Sequence, residues 1–593
     1  MKQLSVRQII LSFIISFFMT FSIMNAGHIT TTSVISVCIF FLCMLGLTHN
    51  PIIFRGGDWL HGSILSALFT IFYLCGDYNN LSSGLTNRFY ILIYLVCSAI
   101  GFFFLFLFLI QRIYSLIPKI SVFYAAASNK TATFPWKFFL ITFGILFLCM
   151  VPFFLLNYPG VMTPDSLSQY RQIIGTDAYS NHHPWLHTML FGIFYNIGEG
   201  ISQSPYIGIA CYTVFQMLLV SLCGAYSIAC LLESGLKKWI CVTLMVLFVI
   251  CPFNLLYAVT IWKDILFSMA VLIVTVTLFR ILLSLKNNCI WYSSKRDLIL
   301  YCISGFFMCM FRHNGLYAFI FFSLILIVEL FICYHRQLLS FALATLLVLA
   351  LCMIVKGPLM NAFSVIPGEF AYKVCIPLQQ IGRVITNKRD LTAEQTDLIE
   401  KINDIDYIPD HYQKGGADPM FAWVLYGNQD YLIDHKGEYL KLWIEIGLKY
   451  PGDYISAFLD QTRGYWFPQA PEQVVYFGIT ENEDSLIAKP ILTGPVLIKI
   501  NELITKLYTM IPIYGMFYSM GFFFFLLLLC CSIHLRYHTL ADAFIYLPVI
   551  GLMLTVFIAV PLVADMRYGY PLVLCMPFLL CCCIWLNQES LKL

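Results

Sequence analysis

Residues 298–334 read LILYCISGFFMCMFRHNGLYAFIFFSLILIVELFICY. The stretch is mostly apolar with a polar break, RHNG, at 312–315, and it is too long for one membrane helix, which needs about 20 residues. The Asn-Gly pair is a strong turn signal. We therefore expect two spans, Leu298 to Phe311 and Gly315 to Cys333, joined by a tight turn. The first is short for a span, and its loss would invert the orientation of every later segment.

Apolar blocks of this kind recur along all 593 residues, which are 60% hydrophobic and 11% charged. Long apolar blocks are typical of membrane proteins and not of soluble cores. We expect an all-α polytopic membrane protein with about fourteen transmembrane helices. The other expected spans are near Ile9–Met24, Thr32–Leu47, His61–Cys75, Phe89–Ile110, Lys137–Asn157, Tyr206–Leu232, Ile240–Val259, Ile265–Leu283, Leu338–Val355, Met516–Cys531, Phe544–Val563 and Tyr570–Leu586.

Loop charge predicts the orientation, because Lys and Arg concentrate in short cytoplasmic loops. With both termini cytoplasmic, the basic loops all fall inside; they contain Arg112, Lys119, Lys130, Lys237, Lys238, Lys286, Lys295, Arg296, Arg336 and Arg536. The net charge is +3 without a Lys/Arg-rich run, so membrane lipid is an expected partner and nucleic acid is not.

Four segments follow from this pattern. They are an N-terminal block of four transmembrane helices (1–136), a transmembrane core (137–356) with a first outer loop (158–205), one α-rich extracytoplasmic domain (357–512), and C-terminal transmembrane helices (513–593). In the first outer loop, the apolar piece from Trp185 to Asn196 is too short to span and is expected to lie in the membrane interface.

Four short polar clusters fall on the outer side in this topology. Asp165 follows Thr163 and Pro164, which are typical of an N-cap and a first helical position, so it should lie in the first turn of a helix. His182 and His183 belong to the same loop. The remaining clusters are Lys263 with Asp264, Arg312 with Asn314, and Arg567 with Tyr568.

Each cluster alone also has a structural explanation. A first-turn Asp stabilises the helix dipole, a Lys-Asp pair beside Trp262 anchors a helix at the interface, and an arginine at a helix end extends toward water. Charges between spans nevertheless usually face a polar cavity. Together these clusters oppose a carboxylate to cations, a combination suited to binding a phosphate and activating a hydroxyl. Since nucleotide sugars are absent outside the cell, a sugar donor there has to be a lipid phosphate.

A divalent metal ion is an open alternative as cofactor. Asp165, Asp177, His182 and His183 all belong to the first outer loop, and Asp and His are residue types that serve both acid/base chemistry and metal binding.

The set of motifs resembles the GT-C superfamily of integral membrane glycosyltransferases, and resembles more closely an uncharacterised bacterial membrane family. The similarity runs from about Lys137 to the C-terminus. The motifs, in order, are YPG at 158–160, DS at 165–166, HP at 183–184, WKD at 262–264, R-x-N-G at 312–315 and RY at 567–568.

The resemblance implies a glycosyltransferase of the bacterial plasma membrane. It would move a sugar from a polyprenyl-phosphate donor to a cell-envelope glycan or lipid acceptor on the outer face. Asp165 would be the catalytic residue, acting as general base or acceptor-orienting carboxylate. The implied substrate-binding residues are His182, His183, Lys263, Asp264, Arg312, Asn314, Arg567 and Tyr568. The alternatives are a polysaccharide polymerase or ligase and a transporter of lipid-linked glycans.

Overall fold

The computed structural model describes the chain except residues 1–4, 31–32, 82–86, 121–132, 287–291, 334, 470–485, 487–488, 496–498, 500–502, 504–505, 507–510, 512–513, 538–539, 560–561, 564 and 591–593. Much of the C-terminal part of the predicted outer domain (357–512) therefore lies outside the described residues. Within these limits the protein is all-helical, and its strand-type pairing consists of four isolated bridges.

The chain divides into two compact units. The first comprises Met1–Tyr124, Phe524–Ala543 and Leu580–Leu593, and the second comprises Ala125–Phe523 and Phe544–Leu579. The first unit begins with helices α1 (Val6–Ala26), α2 (Val34–His49), α3 (Gly56–Gly76), α4 (Tyr78–Leu81) and α5 (Arg88–Ile120).

The second unit contains all the site residues predicted from the sequence. Its helices up to the outer domain are α6 (Trp136–Leu156), α7 (Pro164–Ile173), α8 (Trp185–Ser202), α9 (Pro205–Glu233), α10 (Lys238–Ile250), α11 (Pro252–Val259), α12 (Lys263–Lys286), α13 (Tyr292–Phe311), α14 (His313–Cys333), α15 (His335–Ile354), a π-helical turn (Val355–Leu359) and α16 (Met360–Ala362).

A group of short helices follows: a 3₁₀ turn (Ala371–Val374), α17 (Cys375–Thr386), α18 (Ala393–Glu400), α19 (Tyr407–His411), α20 (Asp418–Leu425), α21 (Gln429–Asp434), α22 (Lys436–Lys449), α23 (Pro451–Thr462) and a 3₁₀ turn (Arg463–Tyr465). These helices enclose an apolar core of their own, with Val384, Ile408, Val424 and Ile446 fully buried. We call Ala371–Tyr465 the helical domain. The chain ends with 3₁₀ turns (Tyr514–Tyr518 and Leu540–Tyr546), α24 (Met520–Tyr537), α25 (Leu547–Ala559) and α26 (Met566–Ser590).

Among the described residues, eleven helices are long and apolar enough to cross a membrane, or twelve if α10 and α11 form one span. These two helices meet at an angle of 59° where Pro252 interrupts the backbone hydrogen bonding. The protein is therefore a polytopic membrane protein. The expectation of about fourteen spans also included α2, which has only 16 residues, and Leu298–Phe311, which forms the apolar part of α13. Trp185–Asn196 belongs to a longer helix, α8, which is not among the eleven.

Helix α13 runs antiparallel to α12 over its whole length. Arg312, just after α13, pairs with Asp264 at the start of α12, whereas Asp297 near the start of α13 pairs with Arg280 near the end of α12. Three charged residues at 295–297 reduce the apolar character of α13. The helix nevertheless has 20 residues and runs beside α12 from Asp264 to Arg280.

The segment 158–205, which the sequence predicts to be the first outer loop, is attached to the junction between α11 and α12 by backbone hydrogen bonds. Val161 donates its N–H to the carbonyl of Val259 at 2.8 Å, and Ile261 donates to the carbonyl of Val161 at 3.0 Å. The loop passes so close to α9 that a Cβ on Gly160 would lie 2.3 Å from the hydroxyl of Thr213, and Gly160 has a φ of +142°. The YPG stretch thus brings the start of α7 to the start of α12.

Candidate functional site

Helix α7 begins as the sequence predicts, with Thr163 as N-cap and Pro164 as the first helical residue. Thr163 and Ser166 form a capping box, in which the backbone N–H of Thr163 donates to Ser166 Oγ at 2.6 Å. The indole Nε1 of Trp262 donates to Thr163 Oγ1 at 2.7 Å. The cap is therefore held against the residue before Lys263, and Asp165 in the first turn faces α12.

The Asp165 carboxylate meets cations from two distant parts of the chain. Its Oδ2 accepts from Lys263 Nζ at 2.5 Å and from Arg567 Nη1 at 3.2 Å. His183 Nδ1 lies 3.8 Å from the same oxygen. The side chain of Asp165 is 22% exposed and that of Lys263 14% exposed, so the pair is enclosed but open to a ligand.

Charge and burial determine the protonation states at this point. Burial alone would raise the pKa of Asp165, but Lys263, His183 and Arg567 outweigh it and hold that pKa well below its usual range. Burial and the charge of Lys263 lower the pKa of His183 far below its ordinary value. His183 is therefore neutral at pH 7, and its Nδ1 accepts a hydrogen bond from Lys263 Nζ at 3.2 Å. Asp165 is an ionised carboxylate and, for the same reason, a weak base.

Arg567 is oriented by the residues around it in sequence and by Trp262. Its Nε donates to Asp565 Oδ2 at 2.7 Å, and its Nη2 donates to the hydroxyl of Tyr568 at 3.1 Å. The guanidinium also lies over the ring of Trp262, 5.3 Å from the ring centre. These contacts direct Nη1 toward Asp165 and fix the planar donor face of Arg567.

Arg312 and Asp264 form a second pair beside the first. Arg312 Nη1 lies 3.0 Å from Asp264 Oδ1, yet the geometry is not that of a hydrogen bond. Both oxygens of Asp264 and Nη1 of Arg312 are buried and have no hydrogen-bond partner among the described residues. The guanidinium lies over the ring of Tyr568, 4.6 Å from the ring centre. The ring of Tyr568 thus lies beside both arginines. The three atoms of the Arg312–Asp264 pair that lack a hydrogen bond could form one with a ligand.

Two predicted site residues are engaged elsewhere. The ring of His182 packs against Tyr372 of the helical domain at a centroid distance of 4.7 Å. The amide of Asn314 donates to Thr555 Oγ1 on α25 at 3.1 Å. Asn314 therefore links α14 to α25, and His182 links the segment between α7 and α8 to the helical domain.

The donor set around Asp165 does not fit a metal ion. Lys263 Nζ occupies the position close to Oδ2 that a divalent cation would take, and Arg567 approaches the same oxygen. No group of three or more His, Cys, Asp or Glu side chains in the described part of the chain is placed to hold a metal ion. Asp177 is exposed in the turn after α7.

A buried polar chain beneath α7 is absent from the sequence-based site. Gln169 Nε2 donates to Thr188 Oγ1 at 2.9 Å, Gln169 Oε1 lies 3.0 Å from His187 Nδ1, and His187 Nε2 lies 2.7 Å from the hydroxyl of Tyr212. Burial lowers the pKa of His187 to about 3. This neutral chain joins α7 to α8 and α9. The spacing of Gln169 one turn after Ser166 is the only sequence signal for it, and that spacing is common.

The fold and the cluster define a class: a multi-pass, all-helical membrane protein with an ion-paired polar site where α7, α12 and α26 begin. Residues 173–592 match the model described as a family of unknown function, DUF6020. The match covers more than half of the chain, so the protein belongs to this family. It begins after Asp165 and includes the other predicted site residues. No curated protein and no solved structure matches the chain.

Proposed function

We propose that this protein is a GT-C-type glycosyltransferase of the bacterial plasma membrane, with both termini cytoplasmic and its site on the outer face. It transfers a sugar from a polyprenyl-phosphate donor to a cell-envelope glycan or lipid acceptor. The observation that carries the proposal is the arrangement of Lys263 and Arg567 around the ionised carboxylate of Asp165. A phosphate leaving group requires cations where its charge develops, and the carboxylate of Asp165 holds these two cations at one point.

The cluster keeps hydrogen-bond donors for such a phosphate. Lys263, Arg312 and Arg567 balance the carboxylates of Asp165, Asp264 and Asp565 in formal charge. Arg567 has five N–H donors. Its Nε, Nη1 and Nη2 each donate one hydrogen bond, to Asp565, Asp165 and Tyr568 respectively. Nη1 and Nη2 of Arg567 thus each have one N–H left to donate. Nη1 of Arg312 has no hydrogen-bond partner among the described residues. A phosphate bound there would receive charge-assisted hydrogen bonds at little cost in new ordering.

An apolar crevice supports a lipid-linked donor. It lies between α9, α10, α12 and α26, and Asn254 at the start of α11 is one of its few polar lining residues. Asn254 accepts a hydrogen bond from the hydroxyl of Tyr570 at 2.8 Å, and the ring of Tyr570 contacts Tyr257, which contacts Trp262. These packed side chains link the crevice to Trp262 beside the Asp165 cluster, so a polyprenyl chain in the crevice would lie next to the helices that carry the site.

A transporter of lipid-linked glycans is the second candidate, and one observation favours it. Helix α12 carries an ion cluster at each end, as alternating gates would. Between these ends, however, Val271, Val274 and Leu278 are fully buried. No charged residue of α12 lies between Asp264 and Arg280, and the hydroxyls of Ser268 and Thr275 donate to carbonyls of their own helix, so the transferase is the better-supported function.

The test is a transfer assay with the purified protein in lipid nanodiscs. Radiolabelled undecaprenyl-phosphate hexoses serve as donors, and an extract of envelope lipids and glycans serves as acceptor. The unaltered protein should transfer or release the hexose, and Asp165→Asn should lower the rate by at least about 10³-fold, because the variant loses the charge that orders Lys263 and Arg567. Asp177→Asn, on the same loop, is the matched control and should keep the rate. Equal rates for Asp165→Asn and the unaltered protein would contradict the catalytic assignment.

A further inference from the structure

The helical domain brings a carboxylate of its own, Asp418, toward the Asp165 cluster. Asp418 starts α20, directly after the turn at 413–416. Val563 donates its N–H to the carbonyl of Gly415 at 2.8 Å, and Gly416 forms an antiparallel bridge with Leu562. The turn before Asp418 is thus fastened to the segment that leads into Asp565 and Arg567.

The close approach at this turn depends on its first glycine. Gly415 has a φ of +78°, and a Cβ there would lie 2.8 Å from Val563 Cβ and 2.9 Å from the carbonyl oxygen of Asp460. The hydroxyl of Tyr465 donates to the carbonyl of Leu562 at 2.9 Å and holds the same segment from the other side. The turn before α20 is therefore held against the segment before α26 by backbone contacts and by one tyrosine hydroxyl.

Asp418 differs from Asp165 in every respect that matters for proton transfer. Its side chain is exposed, and no described residue lies within hydrogen-bond distance of its carboxylate. Partial burial and the charge of Asp165 raise the pKa of Asp418, and the charge of Arg567 opposes them. The charges of Arg567 and Asp165 both act on Asp418, so its carboxylate lies within electrostatic range of the cluster, as the backbone contacts of the preceding turn require. Asp418 also acts on the hydroxyl of Tyr372.

We infer that Asp418 is the general base of the transfer, an inference that rests on the function proposed above. The acceptor hydroxyl oxygen attacks the anomeric carbon, and the bond from that carbon to the phosphate oxygen breaks. The electron pair of that bond leaves with the lipid phosphate, held by Lys263 and Arg567. The proton of the hydroxyl passes to the carboxylate of Asp418, and Asp165 orients the donor-binding cations.

The division of roles follows from the two environments. A carboxylate locked to two cations is a poor proton acceptor, whereas an unpaired carboxylate with a raised pKa accepts a proton more readily. Pairs of acidic residues whose surroundings separate their pKa values commonly divide the acid/base and electrostatic roles in this way. The neutral His183 is already hydrogen-bonded to Lys263 and is not free for this task.

The experiment measures donor binding, transfer and pH dependence for the full-length protein in nanodiscs. Asp418→Asn should bind radiolabelled undecaprenyl phosphate within about threefold of the unaltered protein, and should lose about 10²–10⁴-fold in transfer of the undecaprenyl-phosphate hexoses. Asp410→Asn, an exposed carboxylate at the end of α19, is the matched control and should keep full transfer.

The pH profile supplies a readout that a structural role would not change. Asp418 must be ionised to accept a proton, so kcat/KM should fall as the pH decreases through a pKa above the ordinary 3.8 of an aspartate. That acidic limb should disappear in Asp418→Asn and remain in Asp410→Asn.

Each result decides between the two proposals. If the unaltered protein transfers hexose and Asp418→Asn keeps that rate or retains the acidic limb, Asp418 is not the base, and the proposed function stands. If the unaltered protein binds undecaprenyl phosphate but neither transfers nor releases hexose, the proposed function itself is wrong, and the role of Asp418 is rejected with it. Loss of donor binding in Asp418→Asn would also overturn the inference, because it would assign Asp418 to donor binding.

Discussion

Helix α12 carries an ion cluster at each end, and the two clusters differ in how completely they are paired. At one end Arg280 donates from Nε to Asp297 Oδ1 at 2.9 Å and from Nη1 to Glu233. None of these three side chains has a buried polar atom without a partner. At the other end, three buried polar atoms of Asp264 and Arg312 have no hydrogen-bond partner among the described residues.

The difference separates a structural cluster from a binding cluster. A buried ion pair with all its hydrogen bonds links the helices that contribute to it, here α9, α12 and α13. A buried polar atom without a partner costs about 1–3 kcal/mol, so it calls for an explanation such as a ligand or water that completes it. We therefore assign stability to the Arg280 cluster and ligand binding to the cluster of Asp165, Asp264 and Arg312.

Removing Arg280 should have the largest effect, and the effect should be on stability. Arg280→Met leaves the carboxylates of Glu233 and Asp297 without their buried cation, which should lower the free energy of unfolding by about 3–5 kcal/mol. Thermal unfolding in detergent measures this loss. Transfer by the fraction that remains folded should be unchanged.

Lys263→Met is the matched variant at the other end of α12. It should reduce transfer by about 10²–10³-fold, since one cation is lost at the leaving phosphate, and it should lower the melting temperature less than Arg280→Met. If Arg280→Met lost transfer and Lys263→Met lost stability, the distinction between a structural and a binding cluster would be wrong.

A smaller effect on transfer is expected when the positive charge is kept and only the shape of the charged group changes. Arg567→Lys retains a cation but loses the planar face that contacts Asp565, Asp165 and Tyr568 at once. Transfer should fall by about 10²-fold, mostly through kcat, because a lysine cannot hold the phosphate with two parallel hydrogen bonds. Steady-state kinetics with varied undecaprenyl-phosphate hexose measure it. A rate within threefold of the unaltered protein would show that Arg567 acts only as a point charge.

Much of the fold is readable from the sequence, because a membrane helix requires only a sufficient run of apolar residues. The start of α7 at Thr163 and Pro164 is also readable, since an N-cap and an N1 proline are local signals. The bend between α10 and α11 is different: Ile240–Val259 reads as one span, and the effect of Pro252 depends on packing.

The site is readable only in part. Loop charge places Asp165, Lys263 and Arg567 on a common side of the membrane but carries no information about their lateral positions. The structure brings them together across sequence separations of 98 and 402 residues. Arg312 is expected at the phosphate with Lys263, and its pairing with Asp264 is not readable from the sequence. Asp418 follows two glycines that predict a turn, yet nothing local predicts which surface that turn meets.

The most direct test of the proposed site is a structure of the protein in a nanodisc with undecaprenyl phosphate bound. We expect the phosphate within hydrogen-bond distance of Lys263 and Arg567, with the polyprenyl chain leaving along the crevice beside α9 and α10. A phosphate bound away from both cations, or lipid density that continues past Arg280 to the other end of α12, would contradict it.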